Sequence, residues 1–341
     1  MLSLLATPAR IILGAPKQYK VLYARKGTIY GITRGLMHST SRFNSSTPRD
    51  NTTDIFSPPS TPHIKQVETA WVHPVYTTEQ MCAVAVGHRN AKNWSDRVAL
   101  GTVKVLRWGM DRVSGYRHPE LGQQHEVKFQ MTEKKWLTRF IFLESVAGVP
   151  GMVGGMLRHL RSLRGLKRDN GWIETLLEEA YNERMHLLTF LKLAKPGFFM
   201  RLLVLGAQGV FFNGFFLSYL ISPRTCHRFV GYLEEEAVLT YTRAIHDLET
   251  GKLPEWEKLD APEIAVQYWK MPEGKRKMKD LLMYVRADEA KHGEVNHTFG
   301  NLIQASDPNP YASQYKDPTK PHPKKDLTHI KTIGWERDEV I

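Results

Sequence analysis

The sequence predicts an all-α protein built on a four-helix bundle, with two further helices that contact a membrane. Three observations predict this architecture. From about residue 93 to 303 apolar residues recur with helical spacing, and no convincing run of β-alternation appears. Two segments within that stretch have the composition of membrane-associated helices. Glutamates and histidines follow the order Glu, Glu-x-x-His, Glu, Glu-x-x-His, which is the order of ligands in bundles that hold two metal ions.

The positive charge of the chain is concentrated at its N-terminus. The 341 residues include 47 Lys and Arg against 35 Asp and Glu, a net charge of +12. Residues 1–49 hold eight of the basic residues and no acid, so residues 50–341 carry only +4. No cluster of basic residues stands out in the folded part, so a nucleic-acid partner is not expected. Two cysteines, Cys82 and Cys226, exclude a disulfide framework and a cysteine-ligated metal site.

Composition divides the chain into four parts. Residues 1–44 are basic and acid-free, with Ser, Thr and scattered apolar residues, which is typical of a mitochondrial transit peptide. A disordered basic tail is the alternative. Residues 45–92 form an N-terminal arm whose Ser/Thr/Pro-rich stretch, 45–64, is predicted to be a linker. Residues 93–303 form the helical domain, and the tail 304–341, rich in Pro, Asp and Lys, is expected to lie over the surface or fray.

The first membrane-associated segment is 93–113. It opens with Ser95 and Asp96, both residues that cap helices. On a helix its basic side chains project to one side and its bulky apolar residues lie largely apart from them, a pattern typical of a helix on an anionic membrane surface. The basic residues are Arg97, Lys104, Arg107 and Arg112, and the apolar ones are Val98, Ala99, Val103, Leu106 and Met110.

The second segment is 198–221, in which residues 202–221 carry no formal charge. Its length alone is sufficient for a membrane span. Gln208 and Asn213 within it, with Arg201 near its start, favour partial burial against protein or in the membrane interface. A buried core helix is the alternative reading. These residues leave open whether the helix spans the membrane or lies flat on it.

The motif that carries chemistry is Glu-x-x-His, because a carboxylate and an imidazole three residues apart share one edge of a helix and can bind one metal ion. Chance predicts about one such pair from 22 Glu and 14 His in 341 residues, and three occur. They are Glu183–His186, Glu289–His292 and Glu294–His297. Glu289 and Glu294 are five residues apart, so they cannot face the same centre. Since the stripe through Glu289 is the apolar one, Glu294–His297 is predicted not to bind the metal.

Two more carboxylates complete a possible ligand set. Glu144 lies in the apolar segment 136–147, and the run LEEEA at 233–237 supplies three glutamates. Of these, Glu234 aligns with His227 seven residues before it and with Tyr241 seven residues after it. Four carboxylates and two imidazoles are ligands that suit a pair of Fe or Mn ions. The fold class is therefore a ferritin-like four-helix bundle with a di-iron carboxylate centre.

Four segments resemble the signature segments of the mitochondrial alternative oxidases. They are LESVAGVPGMVGGMLRHL at 143–160, NERMHLL at 182–188, LEEEA at 233–237 and RADEAKH at 286–292. The resemblance extends over about residues 93 to 300. Members of that family are non-haem di-iron ubiquinol oxidases, which reduce oxygen to water, resist cyanide and bypass the proton-pumping cytochrome pathway. The chain is expected to do the same.

The resemblance implies a role for each matched residue. As ligands of two Fe ions it implies Glu144, Glu183, His186, Glu234, Glu289 and His292. It places Tyr241 beside the metals as a catalytic electron and proton donor. The hydrogen-bonding positions around the ligands are Asn182, Asp288, His227, Tyr268 and Trp269. The positions that line the pocket for ubiquinol are Arg139, Leu143, Thr240 and Glu236.

The resemblance also implies where the protein works. It indicates a monotopic homodimer on the matrix-facing side of the mitochondrial inner membrane, held in one leaflet of the bilayer by the helices at 93–113 and 198–221. His159 and Arg184 are expected to serve packing or the dimer contact. Plant members use an N-terminal cysteine for redox control, but the surroundings of Cys82, QMCAVAVGH, do not match that site. The chain therefore looks closer to the fungal members.

Two other functions share part of this pattern. A di-iron hydroxylase of a membrane quinone or lipid would have the same bundle and the same order of ligands. An iron-storing relative of ferritin would need a soluble shell, which the apolar helix at 198–221 disfavours. The predicted function is the oxidation of ubiquinol by O2, with water as the product.

Overall fold

A computed structural model describes residues 71–114, 116, 131–312 and 323–341, which belong to the compact unit Val67–Ile341. The predicted transit peptide and linker lie outside the described residues. Within the described part the chain forms helices and no strand, so the all-α prediction is confirmed. The helices are α1 Thr78–Cys82, α2 Trp94–Ser114, α3 Glu133–Gly165, α4 Trp172–Leu193, α5 Phe198–Ile221, α6 Pro223–Glu249, α7 Pro254–Lys258, α8 Glu263–Tyr268, α9 Met278–Phe299 and α10 Arg337–Val340.

Helices α3, α4, α6 and α9 form the bundle, in which α3 packs on α4 and α6 packs on α9. Helix α3 begins where the Thr132 hydroxyl accepts a hydrogen bond from the Lys135 N–H, and it ends at Leu166, whose φ of 48° is left-handed. The short loop 166–171 makes α3 and α4 a helical hairpin. The 24 residues of α5 cross between the two halves of the bundle.

Glycines let α3 and α4 approach closely. A Cβ on Gly151 would lie 2.5 Å from the Leu176 carbonyl oxygen, and one on Gly155 would lie 2.9 Å from the Leu177 side chain. Both distances are too short for a side chain, so only glycine permits this separation of the helices. The close contact brings Glu144 on α3 near Glu183 on α4. Pro150 lies within α3, which continues through it.

Helix α2 packs on α6 with one face and leaves another face exposed, which differs from the single apolar face predicted. Ala99 and Val103 are buried against the bundle, whereas Val98 and Leu106 are exposed with Trp94, Val105 and Trp108.

The predicted cap of α2, at Ser95 and Asp96, is two to three residues too late, because the Asn93 side chain accepts from the Asp96 N–H at 2.9 Å. Asp96 instead pairs with Arg228 on α6 at 3.0 Å, which ties α2 to the bundle.

By length and composition, two helices among the described residues could cross a membrane, namely α3 and α5. Most of the apolar stretch of α3 is buried, as expected for a core helix of the bundle. Only 11% of the corresponding stretch of α5 is buried, so the alternative of a buried core helix does not hold for α5. Its exposed residues include Phe198, Phe199, Leu205, Val210 and Ile221.

The N-terminal arm and the C-terminal segment both cover α9. Arg89 of the arm donates to the Ile333 carbonyl oxygen and pairs with Glu336 at 2.8 Å, which joins the two segments. Val340 at the C-terminus is completely buried. The described part of the tail, 323–341, therefore packs on the bundle rather than fraying. Because these segments cover it, the stripe through Glu294 is as buried as the stripe through Glu289, contrary to the prediction.

Candidate metal centre

Each bundle helix contributes to one buried cluster of carboxylates and imidazoles. Its six members form two overlapping groups that share Glu183 and Glu289, and within each group one ligand atom per residue lies within 4.8 Å of the others. The first group is Glu144, Glu183, His186 and Glu289, and the second is Glu183, Glu234, Glu289 and His292. Two shared carboxylates between two histidines form a site for two bridged cations.

The ligand atoms converge on the centre of the bundle. His186 Nδ1 lies 3.4 Å from Glu144 Oε2 and 3.3 Å from Glu289 Oε1. On the other side, His292 Nδ1 lies 2.6 Å from Glu183 Oε1 and 3.8 Å from Glu289 Oε2. Helical spacing alone brings together Glu183 with His186 on α4 and Glu289 with His292 on α9, since residues three apart share an edge of a helix.

Burial and mutual repulsion dominate the electrostatics of the cluster. Burial, followed by the charge of Glu289, raises the pKa of Glu144 to about 8 and also raises the pKa of Glu234 well above its usual value. Burial alone would lower the pKa of His186 and His292, but the charge of Glu183 raises both well above the usual value. The cluster thus binds protons strongly, because isolated carboxylates are costly inside a protein. Bound cations would replace these protons.

The facing atoms of the cluster fit a pair of metal ions. Both oxygens of Glu183, Glu144 Oε2, and the Nδ1 atoms of His186 and His292 are buried, and their contacts are only with other atoms of the cluster. Buried polar atoms normally hydrogen-bond to surrounding protein or water, so ligand atoms that face only one another fit a bound cation. Four carboxylates and two imidazoles suit iron or manganese better than zinc, which usually takes three or four protein ligands. The buried cluster can therefore bind metal.

Asp288 organises one end of the cluster. Its Oδ2 atom accepts from Trp269 Nε1 at 2.8 Å and from Asn182 Nδ2 at 3.1 Å, and lies 3.1 Å from His186 Nε2. This contact leaves Nδ1 of His186 to face the carboxylates, which fixes the ring that would hold the metal. Asn182 also donates to the Tyr268 hydroxyl at 3.0 Å. The structure thus brings four of the five predicted hydrogen-bonding residues together around His186.

The fifth predicted residue, His227, belongs to a separate network on the His292 side. His227 Nδ1 lies 3.0 Å from Asn296 Oδ1, and Asn296 Nδ2 donates to both oxygens of Glu179 and to the His292 carbonyl. His227 Nε2 contacts the Tyr219 hydroxyl on α5 at 3.1 Å. Burial raises the pKa of Glu179 to about 7 and lowers the pKa of His227 to about 4. A chain of polar contacts therefore joins α5 to the ligand helix α9.

Tyr241 lies directly beside the cluster. Its hydroxyl donates to Glu144 Oε1, and its ring stacks on Phe140 with centroids 4.7 Å apart. Burial, then the charges of Glu144 and Glu289, raises the pKa of Tyr241 well above its usual value. The phenol therefore stays protonated and keeps one O–H pointed at a ligand oxygen.

The residues predicted to bind quinol lie at the junction of α2, α3 and α6. Arg139 pairs with Asp111 at 2.8 Å, and Glu236 pairs with Arg107. The Thr240 hydroxyl donates to the Glu236 carbonyl at 2.8 Å, and Leu143 follows Arg139 by one turn of α3. Contact with a quinol stays a prediction for all four residues.

Glu294 and His297 do not join either group of the cluster. Glu294 accepts from Lys291 at 2.8 Å and from Trp335 Nε1 at 2.5 Å. His297 contacts Glu235 at 2.8 Å and Arg228 at 2.8 Å. The third Glu-x-x-His pair therefore contacts Lys291 on its own helix, α6 and the C-terminal segment.

Sequence reasoning missed two residues next to the centre. His73 on the N-terminal arm contacts Asp288 Oδ1 through Nε2 at 2.8 Å, although 215 positions separate the two residues. No local pattern marks such a contact. Glu179 was detectable, because it precedes Glu183 by one helical turn and therefore shares its face of α4.

Comparison with known proteins agrees with this geometry. A family model described as alternative oxidase matches residues 76–301. The chain is 77% identical over 300 residues to the mitochondrial alternative oxidase of Aspergillus niger, covering 88% of this chain and 86% of that protein. It is 69% identical over 343 residues to that of Emericella nidulans, covering 97% of each, and 60% identical over 272 residues to that of Yarrowia lipolytica, covering 80% and 76%. The chain belongs to the alternative oxidase family.

Proposed function

We propose that this oxidase transfers electrons from ubiquinol to O2 at a pair of irons bound by Glu144, Glu183, His186, Glu234, Glu289 and His292. Two quinols and one O2 give two quinones and two waters, so the reaction balances without a net change in protons. The observation that carries the proposal is the convergence of buried carboxylates and imidazoles from four helices. The irons, when bound, supply oxygen binding and electron transfer. Cyanide resistance is proposed from the family.

The residues of the chain position the reactants and move protons. Tyr241 holds a proton at its hydroxyl, directed to Glu144 Oε1, and would supply that proton with an electron when oxygen is reduced at the site. Asp288 fixes the orientation of His186. Arg139 and Glu236 carry charge at the junction of α2, α3 and α6, where a quinol hydroxyl can form hydrogen bonds.

Oxygen uptake in the presence of saturating cyanide, with a short-chain ubiquinol as donor, tests the proposed reaction. Glu183→Ala removes a carboxylate shared by both halves of the cluster, so we expect uptake to fall to background. Glu174→Ala changes an exposed glutamate on the same helix and serves as the matched control. Uptake by Glu183→Ala equal to that of the control contradicts the proposal.

Two further measurements separate the alternative functions. Mass spectrometry of the quinone after turnover detects an added oxygen atom, which would identify a hydroxylase instead. The iron content of the purified protein should be two per chain, whereas a store would hold many. An unmodified quinone and two irons per chain are the results expected for the oxidase.

We further propose that α2 and α5 hold the protein in one leaflet of the inner membrane, on the matrix side. The exposed aromatic residues Trp94, Trp108, Phe198 and Phe199 suit the membrane interface, and Lys104 and Arg201 suit anionic headgroups. Each phenylalanine buried in lipid contributes about 2 kcal/mol. Phe198→Ser with Phe199→Ser should therefore weaken flotation with vesicles of phosphatidylcholine and anionic phosphatidylglycerol by more than tenfold. Ile303→Ser, at an exposed position outside α2 and α5, should not.

The exposed apolar stripe of α3 supports the proposed homodimer. Met152, Met156, Leu160 and Leu163 lie on one side of this helix and are exposed. A contiguous apolar patch of this kind is typical of an interface. The double substitution Met156→Glu with Leu163→Glu should convert a dimer into a monomer, as measured by analytical ultracentrifugation in detergent. An unchanged mass contradicts the assignment of this stripe to the dimer interface.

The relatives are named mitochondrial, which supports removal of residues 1–44 as a transit peptide and delivery to the mitochondrion. The mature protein then consists of the arm from residue 45, the domain 93–303 and the tail 304–341. N-terminal sequencing of protein recovered from mitochondria tests the cleavage. A chain that still begins at Met1 contradicts it.

A further inference from the structure

A second approach to the candidate metal centre opens on the side away from α2, α3 and α5. It is a cavity of about 80 Å³ between the N-terminal arm, α4 and α9. Its inner wall includes His292 of the cluster and Asp288, while its outer wall includes the half-exposed ion pair of Glu178 with Lys325 at 2.6 Å. No residue of α2, α3 or α5 lines it. The cavity therefore connects solvent with the cluster by a route that the membrane-facing helices do not share.

Two polar atoms in the wall of this cavity indicate that it contains water. His73 Nδ1 and Asn182 Oδ1 are buried and have no hydrogen-bond partner in the protein. Both residues are more than nine-tenths buried. A buried polar group without a partner is normally satisfied by ordered water, and a site for one water needs about 10–15 Å³ of space. The cavity therefore has room for several water molecules.

The wall of the cavity is mostly apolar, and charged or polar groups interrupt it at its inner end and at its mouth. Lys291 and Glu179 stand on opposite helices, and Glu178 with Lys325 stands at the mouth. These polar groups, with the unpartnered atoms of His73 and Asn182, give water hydrogen-bonding partners within the cavity.

We propose that this cavity is the passage through which product water leaves the metal centre and protons exchange with solvent. The inference rests on the proposed function, because two waters form there for each O2 consumed. The four protons needed for two waters equal the four released by two quinols. The passage therefore needs to carry only water out, and protons that cross it exchange with solvent without net uptake or release. His73, from the N-terminal arm, positions Asp288 and lines the inner part of the route.

The first test measures whether water reaches the inner wall. In a Cys82→Ser background, which removes the exposed native thiol, Val295→Cys places a thiol on the cavity wall of α9. Val285→Cys is the matched control, because Val285 is a fully buried valine on the same helix and outside the cavity. The reagent is the small water-soluble cation 2-aminoethyl methanethiosulfonate, and mass spectrometry follows its addition.

We expect Val295→Cys to react at least tenfold faster than Val285→Cys. Thr175→Cys, on the opposite wall in α4, should also react faster than the control, and it replaces Val295→Cys if that variant does not fold. Equal rates at wall and control positions overturn the passage. These rates do not depend on turnover, so they decide the passage even if ubiquinol supports no oxygen uptake.

The second test measures whether the passage serves the reaction. Full labelling of Val295→Cys fills the route with a charged side chain, so cyanide-insensitive oxygen uptake should fall at least fivefold while two irons per chain are retained. Unlabelled Val295→Cys is the reference. Uptake that is unchanged after complete labelling overturns the role of the cavity, even if water enters it. No uptake by the unmodified protein instead contradicts the proposed function.

Discussion

The Tyr241 hydroxyl donates directly to the cluster, although Tyr241 is not one of its six candidate ligands. Tyr241→Phe keeps the ring stacked on Phe140 and removes only the hydroxyl that donates to Glu144. We expect two irons per chain to remain and turnover to fall by about 10²-fold, which is typical for a lost proton donor. Iron analysis and oxygen uptake together measure this.

Tyr284→Phe is the control for Tyr241→Phe, because Tyr284 is a buried tyrosine that stacks on Tyr76 and does not contact the ligands. It should retain the activity of the unmodified protein. Full activity in iron-replete Tyr241→Phe would remove this residue from the mechanism.

His227 gives the protein an acid-sensitive stability. Burial, and then the charges of Arg158 and Arg228, lower its pKa to about 4 in the folded protein, against 6.5 for an ordinary histidine. The unfolded chain therefore binds the extra proton first as the pH falls. This contribution to stability is complete above pH 6.5 and is lost between pH 6.5 and 4, by about 3 kcal/mol.

His227→Gln keeps a polar side chain beside Asn296 but does not titrate. Urea unfolding at several pH values should show a shallower loss of stability between pH 6.5 and 4 in this variant. His246→Gln, a histidine at the exposed end of α6, is the control and should follow the unmodified protein. Parallel pH profiles for all three proteins would contradict the assignment.

Among the elements, the α3–α4 hairpin depends on glycine at the contact. Gly151→Ala places a methyl group 2.5 Å from the Leu176 carbonyl oxygen and must push the helices apart. We expect a loss of about 1–3 kcal/mol in the free energy of unfolding, as for other overpacked cores. Gly109→Ala on α2 meets no atom within 4 Å and should be neutral or slightly stabilising.

Chemical unfolding in detergent compares the two glycine variants. Since α3 and α4 carry Glu144 and Glu183, separation of the helices should also lower the iron content of Gly151→Ala. Equal stability of Gly151→Ala and Gly109→Ala would show that the hairpin relaxes without cost.

In the molecule as a whole, the C-terminal segment fastens the N-terminal arm to α9. Truncation after residue 333 removes the buried Val340 and the Trp335 indole that donates to Glu294, and it leaves Arg89 without Glu336. Loss of the Val340 contacts alone should reduce the free energy of unfolding by about 2 kcal/mol. Thermal unfolding measures the effect.

Lys324→Ala, an exposed change in the same segment, is the control for the truncation. It should leave the unfolding temperature unchanged. A truncated chain as stable as this control would mean that residues 334–341 contribute nothing to the fold.

Much of the candidate site follows from local spacing. Glu183 with His186, and Glu289 with His292, share helix edges because of the helical period, and that period alone predicts each pair. The choice of Glu234 among three adjacent glutamates also follows from its alignment with Tyr241. By contrast, the faces of α2 were predicted incorrectly, since Ala99 and Val103 pack on α6 and only the other apolar residues stay exposed.

The sequence by itself determined the all-α class, the order of the cluster residues along the chain and the family. Each depends on residue spacing within one helix or on segments of continuous sequence. Only the tertiary structure decided that His73 reaches Asp288, that the C-terminal segment buries Glu294, and that a cavity reaches His292. These contacts join residues far apart in the chain, and a pairing across 215 positions leaves no periodic trace in the sequence.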